Sequence, residues 1–130
     1  MRFLARFFTG PGMLLAGINH FRVPRTYESI MPGYLPAHRT LVLASGVAEA
    51  VGGAAAIYPP TRSLARPWLI GVLVAVFPVH IWMLQRPDLY PKVPRAGLWA
   101  RLPLQVVMAW WVIRATDESR WPTDEALGGR

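Results

Sequence analysis

The chain has 130 residues, of which 53% are hydrophobic and 16% are charged, and its mean hydropathy is positive. This length leaves room for one domain of about three to five membrane helices and excludes an additional soluble domain. The 14 basic residues give a formal net charge of +7. They are dispersed at the ends of apolar runs, which is typical of interfacial arginines and not of a nucleic-acid surface. The absence of cysteine excludes disulfide relays, thiolate nucleophiles and zinc–thiolate sites.

The first predicted membrane helix runs from about Phe3 to Phe21. Thr9 to Gly12 contains a proline between two glycines and predicts a kink or a shortened helix. A basic start followed by an apolar run is also typical of a signal peptide. This run, however, continues into Asn19-His20-Phe21 without a small-residue cleavage site, and we therefore predict a membrane helix.

The second predicted helix, from about Arg39 to Tyr58, contains the most informative residue of the chain. Glu49 lies near its centre and is the only charged residue between Thr40 and Thr61. A carboxylate at mid-membrane costs on the order of 3 kcal/mol or more unless it is neutral or paired, so it rarely faces lipid. The small residues around it allow neighbouring helices to approach closely and enclose it. This stretch predicts a helix bundle with a polar interior.

The third predicted helix runs from about Leu64 to Leu84 and contains two prolines, which neighbouring helices can accommodate in a membrane. The fourth, from about Leu98 to Ile113, is short. The predicted fold class is therefore all-α, a four-transmembrane-helix bundle over residues 1–114. Residues 115–130 are acidic and glycine-containing and are predicted to form a polar, solvated tail.

The two longer connections between these helices contain the same short pattern, P-x-x-Y, which ends at Tyr27 in the first and at Tyr90 in the second. Each pattern follows a helix with a histidine near its end, His20 or His80. This arrangement suggests two helix pairs related by duplication. A chance match of two short patterns is the alternative.

The rise of an α-helix, about 1.5 Å per residue, gives each polar residue a depth in the membrane. On this scale His20, Ser45, His80 and Gln105 lie in the half of the bilayer next to the long connections, and Glu49 lies close to the midplane. We therefore predict a polar cavity that opens toward these connections. The candidate catalytic residues are Glu49, His20 and His80, and the candidate ligand-binding residues are Asn19, Ser45, Gln105, Tyr27 and Tyr90.

Each of these residues also has a structural interpretation. Asn19 and Gln105 are typical hydrogen-bonding partners at helix ends or between helices, and Glu49 could form a clasp with one histidine. His80 could satisfy the carbonyl that the proline two residues before it frees. Two histidines with a glutamate could bind a metal, but their spacing is not a known helical ligand motif, so no metal site is predicted. No nucleophile elbow supports a serine hydrolase.

Several short motifs occur in a fixed order along most of the chain. They are Gly17-Ile-Asn-His-Phe21, Pro24, Tyr27, Met31-Pro32, Tyr34-Leu-Pro36, Ser45-Gly-Val-Ala-Glu49, Pro59 to Arg62, Phe77-Pro-Val-His80 and Arg101-Leu-Pro-Leu-Gln105. Together they resemble the DoxX-like family. The resemblance implies a small, multi-pass protein of the bacterial plasma membrane with four helices and, usually, cytoplasmic termini. Some relatives are subunits of respiratory or thiosulfate:quinone oxidoreductases, but their redox cysteines have no counterpart in this chain.

The basic residues do not orient the chain, because seven of the 14 flank each side of the predicted bundle. Cytoplasmic termini follow from the resemblance alone.

Two functions remain open. In the first, the protein binds a small lipid-soluble molecule, with a quinone as one candidate cofactor, or is an accessory subunit of a membrane oxidoreductase. In the second, it is a membrane enzyme that uses Glu49 with His20 or His80 as general acid or base. The expected partners are the lipid bilayer and membrane oxidoreductase subunits, with no nucleic acid. The oligomeric state stays open.

Overall fold

The computed structural model of the protein describes residues 2–117. Five α-helices follow one another along this part of the chain: α1 (Arg2–Arg22), α2 (Pro24–Ser29), α3 (His38–Ile57), α4 (Arg62–Gln85) and α5 (Arg95–Ala115). Short 3-10 turns at Pro59–Thr61 and Pro87–Leu89 follow α3 and α4. No β-strand occurs within residues 2–117, and the prediction of an all-α protein is confirmed at this level.

The four long helices, α1, α3, α4 and α5, cover the four apolar runs that the sequence predicts as membrane helices. Each packs against two of the others, in the order α1, α3, α4, α5 and back to α1. Neighbours in this ring are antiparallel. Residues 22–37 and 86–94 therefore lie at one end, which we call the loop end. The start of α1, the α3–α4 turn and the end of α5 lie at the other, which we call the terminal end.

By length and composition, three helical segments of residues 2–117 can cross a membrane: His38–Ile57, Pro59–Gln85 and Arg95–Ala115. They carry large apolar side chains that are exposed, such as Val51, Val74 and Val106. Soluble monomers rarely expose contiguous apolar surfaces of this kind. These features indicate a membrane protein with transmembrane helices.

α1 is not among these three segments, although it has 21 residues. Arg6, Asn19 and His20 lower its mean hydropathy. The helix includes Pro11 and still extends from Arg2 to Arg22, so the proline does not shorten it as the sequence had suggested.

The first two residues of the polar tail predicted for residues 115–130 belong to the packed helices. Ala115 is the last residue of α5, and both Ala115 and Thr116 are buried. The Thr116 hydroxyl donates a hydrogen bond to the Val112 carbonyl (2.7 Å) and accepts one from Arg66 Nε (3.0 Å). The predicted tail beyond residue 117 lies outside the described residues.

Arginine side chains cap two helices at the terminal end. Arg62 donates hydrogen bonds to the carbonyls of Ala56 (3.0 Å) and Ile57 (3.1 Å), in the last turn of α3. Arg6 Nε donates to the carbonyl of Ala115 (3.1 Å), the last residue of α5. Carbonyls in the last turn of a helix have no partner within the helix, and they attract cations. These arginines thus join α3 to α4 and α1 to α5.

The most extensive helix contact joins α1 to α3 and depends on glycine. A Cβ atom on Gly17 would lie 2.5 Å from backbone atoms of Gly46 and Ala50. A Cβ atom on Gly53 would lie 2.7 Å from the carbonyl oxygen of Gly10. Because the neighbours are backbone atoms, a side chain cannot be accommodated without moving one helix. Two glycines seven residues apart on each helix therefore let the two backbones touch.

This contact predicts opposite effects for two alanine substitutions in α1. Gly17→Ala should lower the free energy of unfolding by about 1–3 kcal/mol, the usual cost of overpacking. Gly12→Ala is the control, because nothing lies within 4 Å of a Cβ atom at that position. Alanine favours a helix over glycine, so this variant should be neutral or more stable by up to about 1 kcal/mol. Thermal unfolding in neutral detergent, followed by circular dichroism, measures both; equal effects would contradict the close contact.

Candidate functional site

A cavity of about 550 Å³ lies between α1, α2, α3 and α4, in the half of the molecule next to the loop end. Its polar lining residues are His20, Tyr27, Ser45, Glu49 and His80, and its other lining residues are apolar. Cavities of roughly 300–1,000 Å³ with a few polar groups in an apolar wall are typical of small-molecule sites.

The cavity exists because α3 and α4 are in contact toward the terminal end and separate toward the loop end. A Cβ atom on Gly52 would lie 2.8 Å from the Trp68 ring, and Trp68 Nε1 donates a hydrogen bond to the Ala48 carbonyl (2.8 Å). Beyond this contact, Ala44 on α3 and Ala75 on α4 both line the cavity, and both are exposed. The cavity therefore has a side opening between the two helices.

His20 and Glu49 form the polar centre of the cavity wall. His20, in the last turn of α1, and Glu49, in the middle of α3, are joined by an Nε2–Oε2 distance of 3.5 Å. Their side chains are only 8% and 12% exposed. On its other side, the His20 ring places Nδ1 2.9 Å from the carbonyl oxygen of Val42.

The Val42 contact fixes where the His20 proton is. A carbonyl oxygen can only accept a hydrogen bond, so Nδ1 must carry a hydrogen. Nε2 then faces Glu49 with one further proton between them. Either the proton is on His20 and an imidazolium pairs with a carboxylate, or it is on Glu49 and the carboxyl donates to a neutral ring. In both states one proton is assigned to the pair, whose 3.5 Å separation is that of a close ion pair.

Tyr27 covers this pair from α2. Its ring stacks on the His20 ring with a centroid distance of 3.9 Å and an interplanar angle of 35°. The Tyr27 hydroxyl accepts a hydrogen bond from Asn19 Nδ2 (3.0 Å). Asn19 does not line the cavity, but its hydrogen bond positions the Tyr27 ring, which does.

His80, in the last third of α4, adds a polar group to the cavity wall. Its Nδ1 is buried, and no residue of the described range 2–117 forms a hydrogen bond with it. His80 therefore does not satisfy the carbonyl freed by Pro78, the structural role that the sequence had left open. A buried polar atom without a partner costs about 1–3 kcal/mol, so a bound ligand or water is its natural partner.

Residues 30–35 lie over the loop end of the cavity. Ile30, Met31 and Leu35 line it with apolar side chains. The segment is attached at both sides. The Tyr34 ring packs edge-on against Trp82 of α4 (centroid distance 5.5 Å), and His38 Nε2 lies 3.0 Å from the Pro32 carbonyl.

Two predicted site residues lie elsewhere. Gln105 is on α5, and its side-chain amide donates a hydrogen bond to the Leu73 carbonyl on α4. This is the interhelical role that the sequence had left as its alternative. Tyr90 follows the 3-10 turn Pro87–Leu89 and is not among the residues that line the cavity.

The sequence did not predict the contact of His20 with the Val42 carbonyl or the hydrogen bond from Trp68 on α4 to Ala48 on α3. It also did not predict that residues 30–35, which we call the covering segment, lie over the cavity and are held by His38. A backbone carbonyl carries no sequence signal, and a tryptophan in a membrane helix is more typical of an interface anchor than of a contact between helices. A Met-Pro-Gly-Tyr turn next to a histidine was the available signal for the covering segment. Within residues 2–117, no group of three or more His, Asp or Glu side chains could hold a metal ion.

The shared proton predicts an order of stability for variants at Glu49. Glu49→Gln should cost less than about 1 kcal/mol, because the amide can donate to the neutral His20 ring. Glu49→Leu should cost about 1–3 kcal/mol, because His20 Nε2 loses its partner. Asp88→Asn is the control, since Asp88 is exposed and forms no ion pair with the residues of the described range 2–117. Thermal unfolding in detergent ranks the variants, and equal losses for the Gln and Leu variants at Glu49 would show that His20 does not depend on a polar partner at position 49.

The cavity lining, residues 30–35, helices α3, α4 and α5 and most of α1 fall within a single region of family similarity. The family described as "Domain of unknown function (DUF8561)" matches residues 10–116. No curated protein and no solved structure matches the chain. Because the match covers more than half of the sequence, the chain belongs to this DUF8561 family.

Proposed function

We propose that the protein is a four-span membrane protein that binds a small lipid-soluble molecule in the cavity between α1, α2, α3 and α4. The observation that carries the proposal is the composition of the cavity wall. The His20–Glu49 pair, Ser45 and the unpartnered His80 interrupt an otherwise apolar lining. Such a wall suits an apolar molecule that carries one or two hydrogen-bonding groups.

The fourth span in this proposal is α1. Its polar residues Thr9 and His20 are 5% and 6% exposed, whereas its apolar residues Phe7 and Leu15 are 59% and 65% exposed. A helix of a soluble protein has the opposite pattern. The 21 residues of α1 extend about 30 Å, the thickness of the hydrocarbon core. A helix that is apolar outside and polar inside fits a membrane in spite of its low mean hydropathy.

The order of motifs that resembles the DoxX-like family supports the same arrangement. On that resemblance we place the protein in the bacterial plasma membrane with cytoplasmic termini. An accessory role beside a membrane oxidoreductase is part of this proposal, since some DoxX-like proteins have it. A quinone is one ligand whose chemistry fits, because its ring carbonyls accept hydrogen bonds that Ser45 and His80 can donate.

A side opening between α3 and α4 supports a ligand that arrives from the membrane. The exposed lining residues Ala44 and Ala75 are small, and both helices are candidate membrane spans. An apolar molecule can thus enter without crossing the covering segment at the loop end.

A second function, acid–base catalysis, is favoured by one observation. The Val42 carbonyl orients His20 so that Nε2 and Glu49 share one proton in the cavity wall. An oriented histidine next to a carboxyl group is a common acid–base pair. In this alternative the pair moves a proton to or from the bound molecule, and Glu49→Gln abolishes turnover while binding persists. If the protein only binds a ligand and is not an enzyme, Glu49→Gln leaves its activity unchanged.

The four-span arrangement predicts the accessibility of single cysteines, which can be introduced cleanly because the chain has none. Cysteines at Tyr27 and Tyr90 should react with a membrane-impermeant maleimide from one side. Cysteines at Arg2 and Ser63 should react from the other side. Arg2 is the decisive position: if it reacts from the same side as Tyr27, α1 does not cross the membrane.

The binding proposal predicts which substitution blocks the cavity. Ala44→Phe should fill the cavity from α3, so small molecules that copurify with the wild type in neutral detergent should be lost. Val47→Phe is the control, because Val47 is 50% exposed on the same helix and does not line the cavity. Native mass spectrometry detects the bound mass in each variant. Equal retention in both variants would place binding outside the cavity.

Ubiquinone-1 is the probe for the quinone interpretation. It should bind the wild type in neutral detergent, and His80→Ala should weaken binding by about tenfold, the value of one hydrogen bond of roughly 1.4 kcal/mol. Val74→Ala, on the lipid-facing side of the same helix, should leave the Kd unchanged. Isothermal titration calorimetry measures all three. No heat with the wild type would exclude this quinone and leave the copurification experiment as the test of the cavity.

A further inference from the structure

A second concave site lies outside the cavity, at the loop end. It has a volume of about 380 Å³ and is lined by Arg22, Val23, Pro24, Arg25, Thr26 and Arg39. Three helices contribute one arginine each: Arg22 ends α1, Arg25 is in α2 and Arg39 is in the first turn of α3. We infer that this site holds the phosphate group of an anionic phospholipid. The inference is independent of the ligand proposed for the cavity.

The charge of the site supports an anion. Within residues 2–117, neither Arg22 nor Arg25 has an ion pair or a side-chain hydrogen bond. Arg39 has one carboxylate nearby, Glu28 Oε1 at 3.8 Å from Nη1, and its side chain is 62% exposed. The three arginines that line the concavity are therefore accompanied by a single nearby carboxylate, that of Glu28. A cleft lined by one sign of charge concentrates the opposite charge, and guanidinium forks match phosphate oxygens.

The position of the site supports a lipid as the source of the phosphate. Arg39 is the second residue of the candidate span His38–Ile57, so the site lies where that span leaves the hydrocarbon region. Arginines that flank a span lie at the level of the lipid phosphates on either side of a membrane, where they attract anionic headgroups. Leu15 and Ile18 lie seven and four residues before Arg22, on the same side of α1, and are 65% and 44% exposed. This apolar strip below Arg22 gives the acyl chains of a bound phospholipid a surface.

The structural alternative is that the three arginines only anchor the loop end at the membrane surface. Arg22 also has a favourable position at the C-terminus of α1, where cations interact with the helix dipole. Under this alternative, any basic residue at the loop end contributes equally to binding of anionic lipid. Under our inference, the arginines of the site contribute and the others do not.

The test uses the full chain in neutral detergent, with phosphatidylglycerol as probe and phosphatidylcholine as reference. Native mass spectrometry should give a Kd for phosphatidylglycerol at least about tenfold lower than for phosphatidylcholine, since each nearby basic residue contributes a factor of about five. The double variant Arg22→Gln, Arg25→Gln should lose this preference. The matched control Lys92→Gln, Arg95→Gln removes the same charge at the same end, outside the site, and should keep it. Arg22→Lys, Arg25→Lys should fall between the two, because charge remains without the fork geometry.

A second arm identifies the source of the phosphate. Inorganic phosphate is titrated into the same preparation by calorimetry. Weak or absent binding of inorganic phosphate, with a phosphatidylglycerol preference that depends on Arg22 and Arg25, supports the lipid site. Binding of inorganic phosphate as tight as that of the lipid, with the same dependence, would overturn the lipid assignment. Equal losses in the site variant and the control variant, or no loss in either, would overturn the site itself. Matching thermal unfolding curves of the variants would confirm that each is folded.

Discussion

The contact between the backbones of α1 and α3 is the constraint on which the site depends. A Cβ atom on Gly46 would lie 2.6 Å from the Cβ atom of His20 and 2.9 Å from the carbonyl oxygen of Gly17. The absence of that atom lets the His20 ring lie directly against α3. From there it reaches the Val42 carbonyl on one side and Glu49 on the other. A larger residue at position 46 would move the ring away from both partners.

The four long helices pack closely toward the terminal end, and the cavity lies toward the loop end. The buried core consists of Met13, Ala56, Ala65, Leu69, Leu73 and Val112, which lie toward the terminal end. There the arginine caps and the Gly52–Trp68 contact hold α3, α4 and α5 together. Toward the loop end α3 and α4 separate, and the gap is lined by small residues of α3.

The depth of each residue along its helix predicted part of the site. The sequence did not show which side of each helix faces the cavity. His20, Ser45, Glu49 and His80 were predicted at compatible depths, and the structure brings them to one cavity. Gln105 has a compatible depth too, but α5 does not contribute to that cavity. Which helices surround the cavity depends on which helices are neighbours in the bundle. A single sequence does not show these neighbours. Likewise the two P-x-x-Y patterns form different structures, a helix in α2 and a 3-10 turn after α4, so Tyr90 does not take the position of Tyr27.

The least apolar of the long helices, α1, supplies His20 to the site, and in the proposed four-span arrangement this agrees with the energetics of a membrane interior. A polar side chain in a span is tolerated when it faces inward and is paired, since an unpaired one costs several kcal/mol in hydrocarbon. His20 meets both conditions through Val42 and Glu49, and Glu49 meets them through His20. In α1, inward-facing polar residues such as Thr9 and His20 lower the mean hydropathy. The outer face of α1 is nevertheless apolar, with Phe7 and Leu15 exposed, and the mean hydropathy of the whole helix does not show this.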